Sequence, residues 1–181
     1  MIDLTRRKRL KITISEIDFK AIISDSINSL SKLSTAYKID ISSKFDAPYP
    51  FFSDARQLSI IFINLISNAI EHQHSYETNP ILDIRIEVNA KKAVMQFKDN
   101  GVGIPKEELS KVFDMFYKGN KTKSEGSGLG LYIIKEIVKK LKGKIYVDSE
   151  VGEGSQFIIE LPNKIDPDFL RKLEKLKRDA D

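Results

Sequence analysis

The 181-residue sequence contains no cysteine and only two histidines. The absence of cysteine excludes disulfides and thiolate metal sites. His72 and His74 have no third candidate ligand nearby, so we expect no metal site built on them. No apolar run is long enough to span a bilayer, and the first residues lack the apolar core of a signal peptide. We therefore expect a soluble, cytoplasmic chain cut from a longer protein, which can itself be membrane-anchored.

The sequence also has no large excess of positive or negative charge. The 30 lysines and arginines are nearly balanced by 26 aspartates and glutamates, which gives a net charge of +4. This balance, without interleaved aromatic and basic residues, argues against a nucleic-acid partner. We interpret the basic run at residues 6–9 as a solvated segment just outside the domain. The length suits one domain with a short appendage, and an apolar fraction of 41% suffices for a core.

The hydrophobic periodicity predicts helices and strands that are mixed without strict alternation. Asp18 and Asp54 precede two amphipathic helices, and the second helix extends to about His72. A third helix follows Gly128 and ends at Gly143. Further predicted elements are a helix over 106–116, a tail helix from 166 onward, and strands over 11–15, 38–42, 81–88, 93–98, 144–149 and 156–161. This order is typical of an α/β sandwich.

Two asparagines on the second helix are candidate metal and phosphate contacts. Asn64 and Asn68 are four residues apart, so they project from one side of the helix. Amide oxygens are hard, neutral ligands, and magnesium takes one or two protein oxygens together with phosphate oxygens and water. This helix face therefore fits a magnesium–triphosphate, and the alternative interpretation is two asparagines on a solvated face.

A carboxylate directly after a predicted strand is a candidate base contact. Asp99 can accept a hydrogen bond from the 6-amino group of adenine, whereas guanine has a carbonyl at that position. Gly101 and Gly103 allow the backbone to turn sharply and to approach a ligand closely. A glycine pair of this kind also occurs in ordinary turns, which is the alternative interpretation.

A second glycine-rich segment precedes the third helix. Free backbone N–H groups at a helix start bind phosphate, and Gly126, Gly128 and Gly130 remove side chains that would block the approach. The alternative is a flexible helix cap. The preceding residues, 116–128, contain few apolar side chains, which predicts a mobile loop from which Lys118 could reach phosphates.

Four segments in fixed order together resemble a known family. Residues 64–69 (NLISNA), 99–104 (DNGVGI), 113–117 (FDMFY) and 126–131 (GSGLGL) are similar to the N box, first glycine box, F box and second glycine box of the sensor histidine kinase catalytic and ATP-binding domain. The resemblance extends over roughly residues 13–162. It implies the Bergerat (GHKL) fold, a two-layer α/β sandwich with a mixed sheet, helices on one face and a mobile ATP lid.

The resemblance also implies a domain organisation. Residues 1–12 would be the end of a preceding dimerisation helix or linker, and residues 13–162 the ATP-binding catalytic domain. Residues 163–181 would form a C-terminal amphipathic helix beyond the family core.

The same resemblance implies ATP and Mg²⁺ as cofactors and assigns site residues. Asn64 and Asn68 would be catalytic, with Asn68 as the magnesium ligand, and Asp99 would read adenine. The residues expected to contact the nucleotide are Asn68, His72, Asp99, Gly101, Gly103, Ile104, Phe116, Tyr117, Lys118, Gly126, Ser127, Gly128, Leu129 and Gly130.

Asn64 favours phosphoryl transfer over hydrolysis. Related ATPases of the topoisomerase and mismatch-repair type carry a glutamate there as the base for water, and an amide cannot take that proton. The resemblance therefore implies transfer of the γ-phosphoryl group to a histidine on a separate dimerisation domain, followed by a downstream response regulator. We expect this chain alone to be monomeric.

Three departures from the family pattern keep other interpretations open. Glu71 stands where the family often has a phosphate-contacting lysine, and Glu125 replaces the first glycine of the lid. The residues before Thr13 are too few to form the histidine-bearing hairpin. The alternatives are a catalytically decayed nucleotide-binding interaction module and an anti-sigma-type serine kinase on the same fold.

Overall fold

A five-stranded mixed sheet forms one layer of the fold. The computed structural model describes residues 11–31, 39–73, 79–118 and 127–178. The strands are β1 (Ser15–Glu16), β2 (Asp40–Asp46), β3 (Phe52–Ser53), β4 (Ile81–Val88), β5 (Lys92–Asp99), β6 (Lys144–Glu150) and β7 (Gly154–Pro162). The main sheet has the order β2-β4-β5-β7-β6, in which only the β2–β4 pair is parallel, and β1 pairs with β3 in a separate two-residue ribbon.

Helices α1 (Phe19–Ser29), α2 (Ala55–Glu71) and α3 (Gly130–Lys140) form the second layer. The tail helix α4 (Pro167–Arg178) has no buried residue. One hydrophobic cluster joins the buried faces of α1, α2 and α3 to the alternate buried residues of the strands. The strand residues in this cluster are Leu82, Ile84, Ile86, Val88, Ala93, Met95, Phe97, Phe157, Ile159 and Leu161. The predicted sandwich, with helices on one face of a mixed sheet, is confirmed.

Aspartate caps set the starts of the first two helices, as predicted. Asp18 Oδ1 accepts a hydrogen bond of 3.0 Å from the Ala21 amide at the start of α1. Asp54 caps α2 through its Oδ1, which accepts from the Gln57 amide at 3.1 Å. The other carboxylate oxygen of Asp54 accepts from the Thr13 amide at 2.9 Å, so this cap also holds the incoming chain. Such caps stabilise a helix by about 0.5–2 kcal/mol.

The predicted strand over 11–15 is wrong, since only Ser15 and Glu16 pair in β1. Within this segment, the Thr13 amide bonds to the α2 cap. The short ribbon of β1 and β3 continues past Glu16, where the Ile17 amide donates to the Phe51 carbonyl at 2.8 Å. The edge strand predicted over 38–42 is present, but β2 begins at 40 and continues to 46 along its parallel partner β4.

The predicted helix over 106–116 is also wrong. The segment consists of successive turns, in which the Glu108, Lys111 and Asp114 amides bond to carbonyls three residues earlier at 2.8–2.9 Å. A helix this short needs an apolar stripe to pack, because its own hydrogen bonds do not offset the cost of nucleation. Val112 is buried and Phe113 packs against the core only in part, while Met115 and Phe116 are exposed, so the apolar residues of this segment are only partly packed.

The tail helix was predicted correctly. Asp166 Oδ1 accepts from the Asp168 and Phe169 amides at 2.9 and 3.0 Å and starts α4. The Phe169 ring meets Phe52 edge-on, with centroids 6.1 Å apart. The split at 162–163 between a catalytic domain and an appended helix remains a prediction. Residues 119–126 of the predicted mobile lid lie outside the described part of the chain, as do residues 1–10. Within the described ranges, no helix has the length and apolar character needed to cross a membrane.

The end of α3 differs in one detail from the prediction. Lys142, and not Gly143, has the left-handed backbone, with φ of 62°. The Gly143 amide closes the helix by donating to the Val138 carbonyl at 2.9 Å. Glycine is needed at 143 for space, because a Cβ there would lie 2.3 Å from the Glu160 carbonyl oxygen.

Opposite effects on stability are therefore expected at these two neighbouring positions. Lys142→Gly removes the strain of a left-handed lysine and should raise the free energy of unfolding by about 0.5–1 kcal/mol. Gly143→Ala forces a methyl group against the main chain of β7 and should lower it by about 1–3 kcal/mol. Urea denaturation monitored by circular dichroism measures both, and a loss of stability in Lys142→Gly would contradict a strained lysine at the helix end.

Candidate nucleotide-binding site

The polar face of α2 meets the start of α3. The Asn64 side-chain amide donates to the Ile60 carbonyl at 2.7 Å, which leaves its Oδ1 directed away from its own helix. A Cβ on Gly130 would lie 2.8 Å from the Asn64 Oδ1 and 3.9 Å from the Asn68 Oδ1. Both amide oxygens are therefore next to the first residue of α3, and a Cβ at position 130 would push the Asn64 side chain away.

The carboxylate of Glu71 is engaged along its own helix. Ser67 Oγ donates to Glu71 Oε1 at 2.6 Å, one turn earlier on the same exposed stripe. Because a hydroxyl donor satisfies part of the carboxylate there, Glu71 is held over α2 beside Asn68. The hydrogen bond from Ser67 thus accommodates the departure from the family's lysine locally.

Asp99 ends β5 as a half-buried carboxylate with two backbone donors. Its Oδ1 accepts from the Gly101 amide at 2.9 Å and from the Ser155 amide at 3.2 Å. Burial is the largest influence and raises the pKa of the Asp99 carboxyl above its ordinary value, while these two hydrogen bonds and the nearby His72 oppose the shift. A carboxylate with this environment is a typical functional-site candidate.

The loop after Asp99 is packed between the end of α2 and the β6–β7 hairpin. His72 caps the C-terminal end of α2, and its carbonyl accepts from the Val102 amide at 2.9 Å. A Cβ on Gly101 would lie 2.4 Å from the same His72 oxygen. On the other side, a Cβ on Gly103 would lie 2.0 Å from the Glu150 carbonyl oxygen. His72 and the two predicted glycines are therefore brought together around Asp99.

Sequence reasoning missed several polar residues that hold this loop. The Asn100 side chain accepts from the Ile81 amide at 2.8 Å and donates to the Asn79 carbonyl at 3.0 Å, which ties the loop to the start of β4. Ser149 is buried and accepts from the Ile104 amide at 2.8 Å. A usable signal was in the sequence, since serines at 149 and 155 flank the glycine turn of the last hairpin.

The two borders of the predicted lid lie side by side. Phe116 has a left-handed backbone, with φ of 64°, and its side chain is 66% exposed. Gly128 has φ of 68°, and a Cβ there would lie 2.9 Å from the Tyr117 carbonyl oxygen. Lys118 is exposed next to this contact. Ser127 Oγ accepts from the Leu129 amide at 3.4 Å just before α3, and Gly126 lies outside the described residues.

These features combine three kinds of group along one side of α2. A half-buried carboxylate lies at its end, amide oxygens lie along its middle, and the N–H groups of the first turn of α3, which have no partner within that helix, lie opposite. Within the described ranges, no cluster of three or more histidine or acidic side chains could hold a metal ion by itself.

Comparison with known proteins identifies the class. The family model described as histidine kinase-, DNA gyrase B- and HSP90-like ATPase matches residues 53–165, and the chain belongs to this family. It is an ATP-binding catalytic domain of the sensor histidine kinase type, which confirms the resemblance and the Bergerat fold predicted from the sequence.

Particular relatives are sensor kinases. The sensor protein RprX of Bacteroides fragilis (strain YCH46) is 34% identical over 160 residues, which are 86% of this chain and 31% of that protein. The catalytic domain of histidine kinase ThkA has a TM-score of 0.70 at 27% identity, over 83% of this chain and 96% of that domain. Full-length ShkA in complex with AMPPNP has the same fold, with a TM-score of 0.70 at 20% identity over 87% of this chain and 33% of that protein. The chain thus spans about a third of the length of RprX.

Backbone contact, and not backbone strain alone, should make Gly103 indispensable. Gly103→Ala would place a methyl group 2.0 Å from the Glu150 oxygen at φ of +68°, whereas Gly152→Ala has a comparable φ of +88° with nothing within 4 Å. We expect Gly103→Ala to destabilise the fold by about 1–3 kcal/mol more than Gly152→Ala, because overpacking adds to the strain that the two share. Equal melting temperatures for the two variants would contradict this expectation.

Proposed function

We propose that this chain binds Mg²⁺–ATP and supplies the γ-phosphoryl group to a histidine on a separate dimerisation domain of its parent protein. The observation that carries the proposal is the meeting of the Asn64 and Asn68 amide oxygens with the start of α3 at Gly130. Asp99, at the far end of α2, supplies the second recognition point. A response regulator is the proposed downstream acceptor, and a membrane anchor belongs to the parent protein.

Asp99 is proposed to select adenine. Both backbone hydrogen bonds are accepted by Oδ1, so Oδ2 is the oxygen that a ligand donor would meet. The 6-amino group of adenine donates to such an oxygen, whereas the guanine carbonyl would face it acceptor to acceptor. An unpaired buried acceptor costs about 1–3 kcal/mol, which is enough to discriminate between the two bases. Gly101, Gly103 and Ile104 would form the walls beside the base, together with His72.

The start of α3 is proposed to hold the phosphates. Its first N–H groups have no partner within the helix, and the helix dipole adds partial positive charge there. Ser127, Gly128, Leu129 and Gly130 line this approach, with Phe116, Tyr117 and Lys118 at the opposite border. Gly126 is proposed to take part from the lid.

The amide oxygens of α2 fit magnesium. Asn68 Oδ1 is a hard, neutral oxygen close to the phosphate-binding start of α3, which is the donor type that Mg²⁺ accepts alongside phosphate oxygens and water. When bound, Mg²⁺ would neutralise charge on the transferring phosphoryl group. Asn64 cannot act as a general base, because an amide does not take a proton near neutral pH. The site therefore positions ATP for transfer and does not activate water.

The acceptor imidazole is proposed to come from another domain. His72 caps α2 beside Asp99, eight residues from Asn64 along the helix. At 1.5 Å per residue this separation is about 12 Å, so His72 lies at the base end of the site and not at the γ-phosphate. His74 falls outside the described residues.

A decayed interaction module is the second candidate, and Glu71 is the observation that favours it. A carboxylate in place of lysine removes a positive charge from the phosphate end. The named relatives are sensor kinases, however, and the Ser67 hydrogen bond occupies the carboxylate without displacing Asn68. Phosphoryl transfer is therefore the better supported function.

The metal assignment can be tested through Asn68. Asn68→Ala should weaken ATP binding about tenfold in the presence of Mg²⁺ and have little effect in EDTA, because the amide touches the ion and not the base. Isothermal titration calorimetry under both conditions gives the comparison. Ser59→Ala, on the same helix with its hydroxyl bonded to the Ala55 carbonyl, is the matched control. An equal loss in EDTA would show that Asn68 is not a ligand.

The transfer reaction can be tested by supplying the acceptor. The isolated chain should not label itself with γ-³²P-ATP, and it should label the parent's histidine hairpin when that domain is added. A hairpin whose acceptor histidine is replaced by glutamine is the control and should stay unlabelled. Label on the isolated chain would contradict transfer in trans. No label on the intact hairpin, despite measured ATP binding, would favour the decayed module.

A further inference from the structure

Ser149 is a buried hydroxyl at the centre of the contact between two segments. It lies one residue before the end of β6 and faces Ser155 of β7 directly across the hairpin. The residue is 7% exposed, in a strand whose other residues are more open. The proposed roles in catalysis and nucleotide contact do not include it.

The hydroxyl of Ser149 uses its full hydrogen-bonding capacity. It accepts from the Ile104 amide at 2.8 Å and donates to the Gly154 carbonyl at 2.7 Å. The Ser155 hydroxyl lies 2.9 Å away. Because a serine hydroxyl has one proton and two lone pairs, and Gly154 takes the proton, Ser155 must be the donor in this third bond.

These bonds join the two segments that grip Asp99. The loop fixed through Ile104 provides the Gly101 amide to Asp99 Oδ1, and the hairpin fixed through Gly154 provides the Ser155 amide to the same oxygen. The segments also touch directly, since a Cβ on Gly154 would lie 2.1 Å from the Asp99 carbonyl oxygen. Besides Asp99 itself, Ser149 therefore provides a side chain that bonds to both segments at once.

We propose that Ser149 is a positioning residue that sets the adenine selectivity of Asp99, an inference that rests on the proposed function of Asp99. By holding the loop against the hairpin, it fixes the distance between the two amides that bond to Oδ1. These two hydrogen bonds to Oδ1 set the direction in which Oδ2 faces a bound base. The preference for adenine over guanine depends on this fixed direction. A carboxylate that is free to turn could move away from the guanine carbonyl and would then no longer discriminate against guanine.

Removing the hydroxyl leaves two backbone groups, one buried and one half-buried, without their partner. In Ser149→Ala, the Ile104 amide and the Gly154 carbonyl lose their bonds, so the loop and the hairpin separate or admit water. Asp99 then keeps its charge but loses its fixed orientation. A supporting group of this kind acts by locking the residue that touches the ligand.

The test compares the binding of ATP and GTP by calorimetry in the full 181-residue chain. Ser149→Ala should bind ATP about tenfold more weakly, with a much smaller change for GTP, so the ratio of the two affinities falls. Ser149→Thr retains the hydroxyl and should restore the ratio. Ser26→Ala is the matched control, because Ser26 is 1% exposed and its hydroxyl bonds to the Ile22 carbonyl within α1.

The ratio separates positioning from simple stabilisation. If Ser149 only stabilised the fold, Ser149→Ala would lower the melting temperature and leave the ATP-to-GTP ratio of the folded protein unchanged, which would overturn the inference. Should the alanine variant fail to fold, Ser149→Cys fills the site with a slightly larger group that forms weaker hydrogen bonds, and it must show the reduced ratio. Equal binding of ATP and GTP by the unsubstituted chain would refute instead the adenine assignment of Asp99.

Discussion

The rotational setting of α2 is the constraint on which the site depends. One side of this helix is fixed by packing against the sheet: Leu58, Ile61 and Phe62 are fully buried, and the Phe62 ring meets Phe97 of β5 edge-on with centroids 5.0 Å apart. Because successive residues are about 100° apart around a helix, this packing places Asn64 and Asn68 on the side of α2 that meets the start of α3. The packing of the core thus sets the direction of these two polar side chains, and a rotation of α2 by one residue would bury them.

The base end of the site is formed mainly by main chain. Gly101, Gly103 and Gly154 each bring one backbone segment so close to another that a Cβ would lie within 2.4 Å of a carbonyl oxygen. Side chains contribute few atoms here, and Asp99 is the charged exception. Its raised pKa reflects burial among these segments, and amide donors hold it in place of a cationic partner. The proposed pocket would therefore recognise a ligand through fixed hydrogen-bond directions and not through opposite charge.

The sequence predicted correctly those features that depend on interactions between residues close together in the chain. The caps at Asp18 and Asp54, the alternation along β4 and β5, and the polar stripe of α2 were all legible in the sequence, and the four motif segments indicated the family. The failures arose where distant partners decide. Residues 11–15 do not form the predicted strand, because the Thr13 amide bonds to the α2 cap. The turns over 106–116 bury Val112 but leave Met115 and Phe116 exposed, so packing supports that segment only in part. The serines at 149 and 155 mark the last hairpin, but the partner that gives Ser149 its importance, the Ile104 amide, lies 45 residues away in the sequence and cannot be identified from a local pattern.

The close approach of Gly128 to Phe116 and Tyr117 has a consequence for how this domain can vary. Residues 116–117 and Gly128 are in contact, so the segment of chain that connects them begins and ends at neighbouring points. The entropy of closing such a loop grows only with the logarithm of its length, by about 0.6 kcal/mol for each doubling. Insertions or deletions between these points would therefore leave the geometry of Asn64, Asn68 and Asp99 almost untouched, and this segment can diversify while packing restrains the rest of the domain.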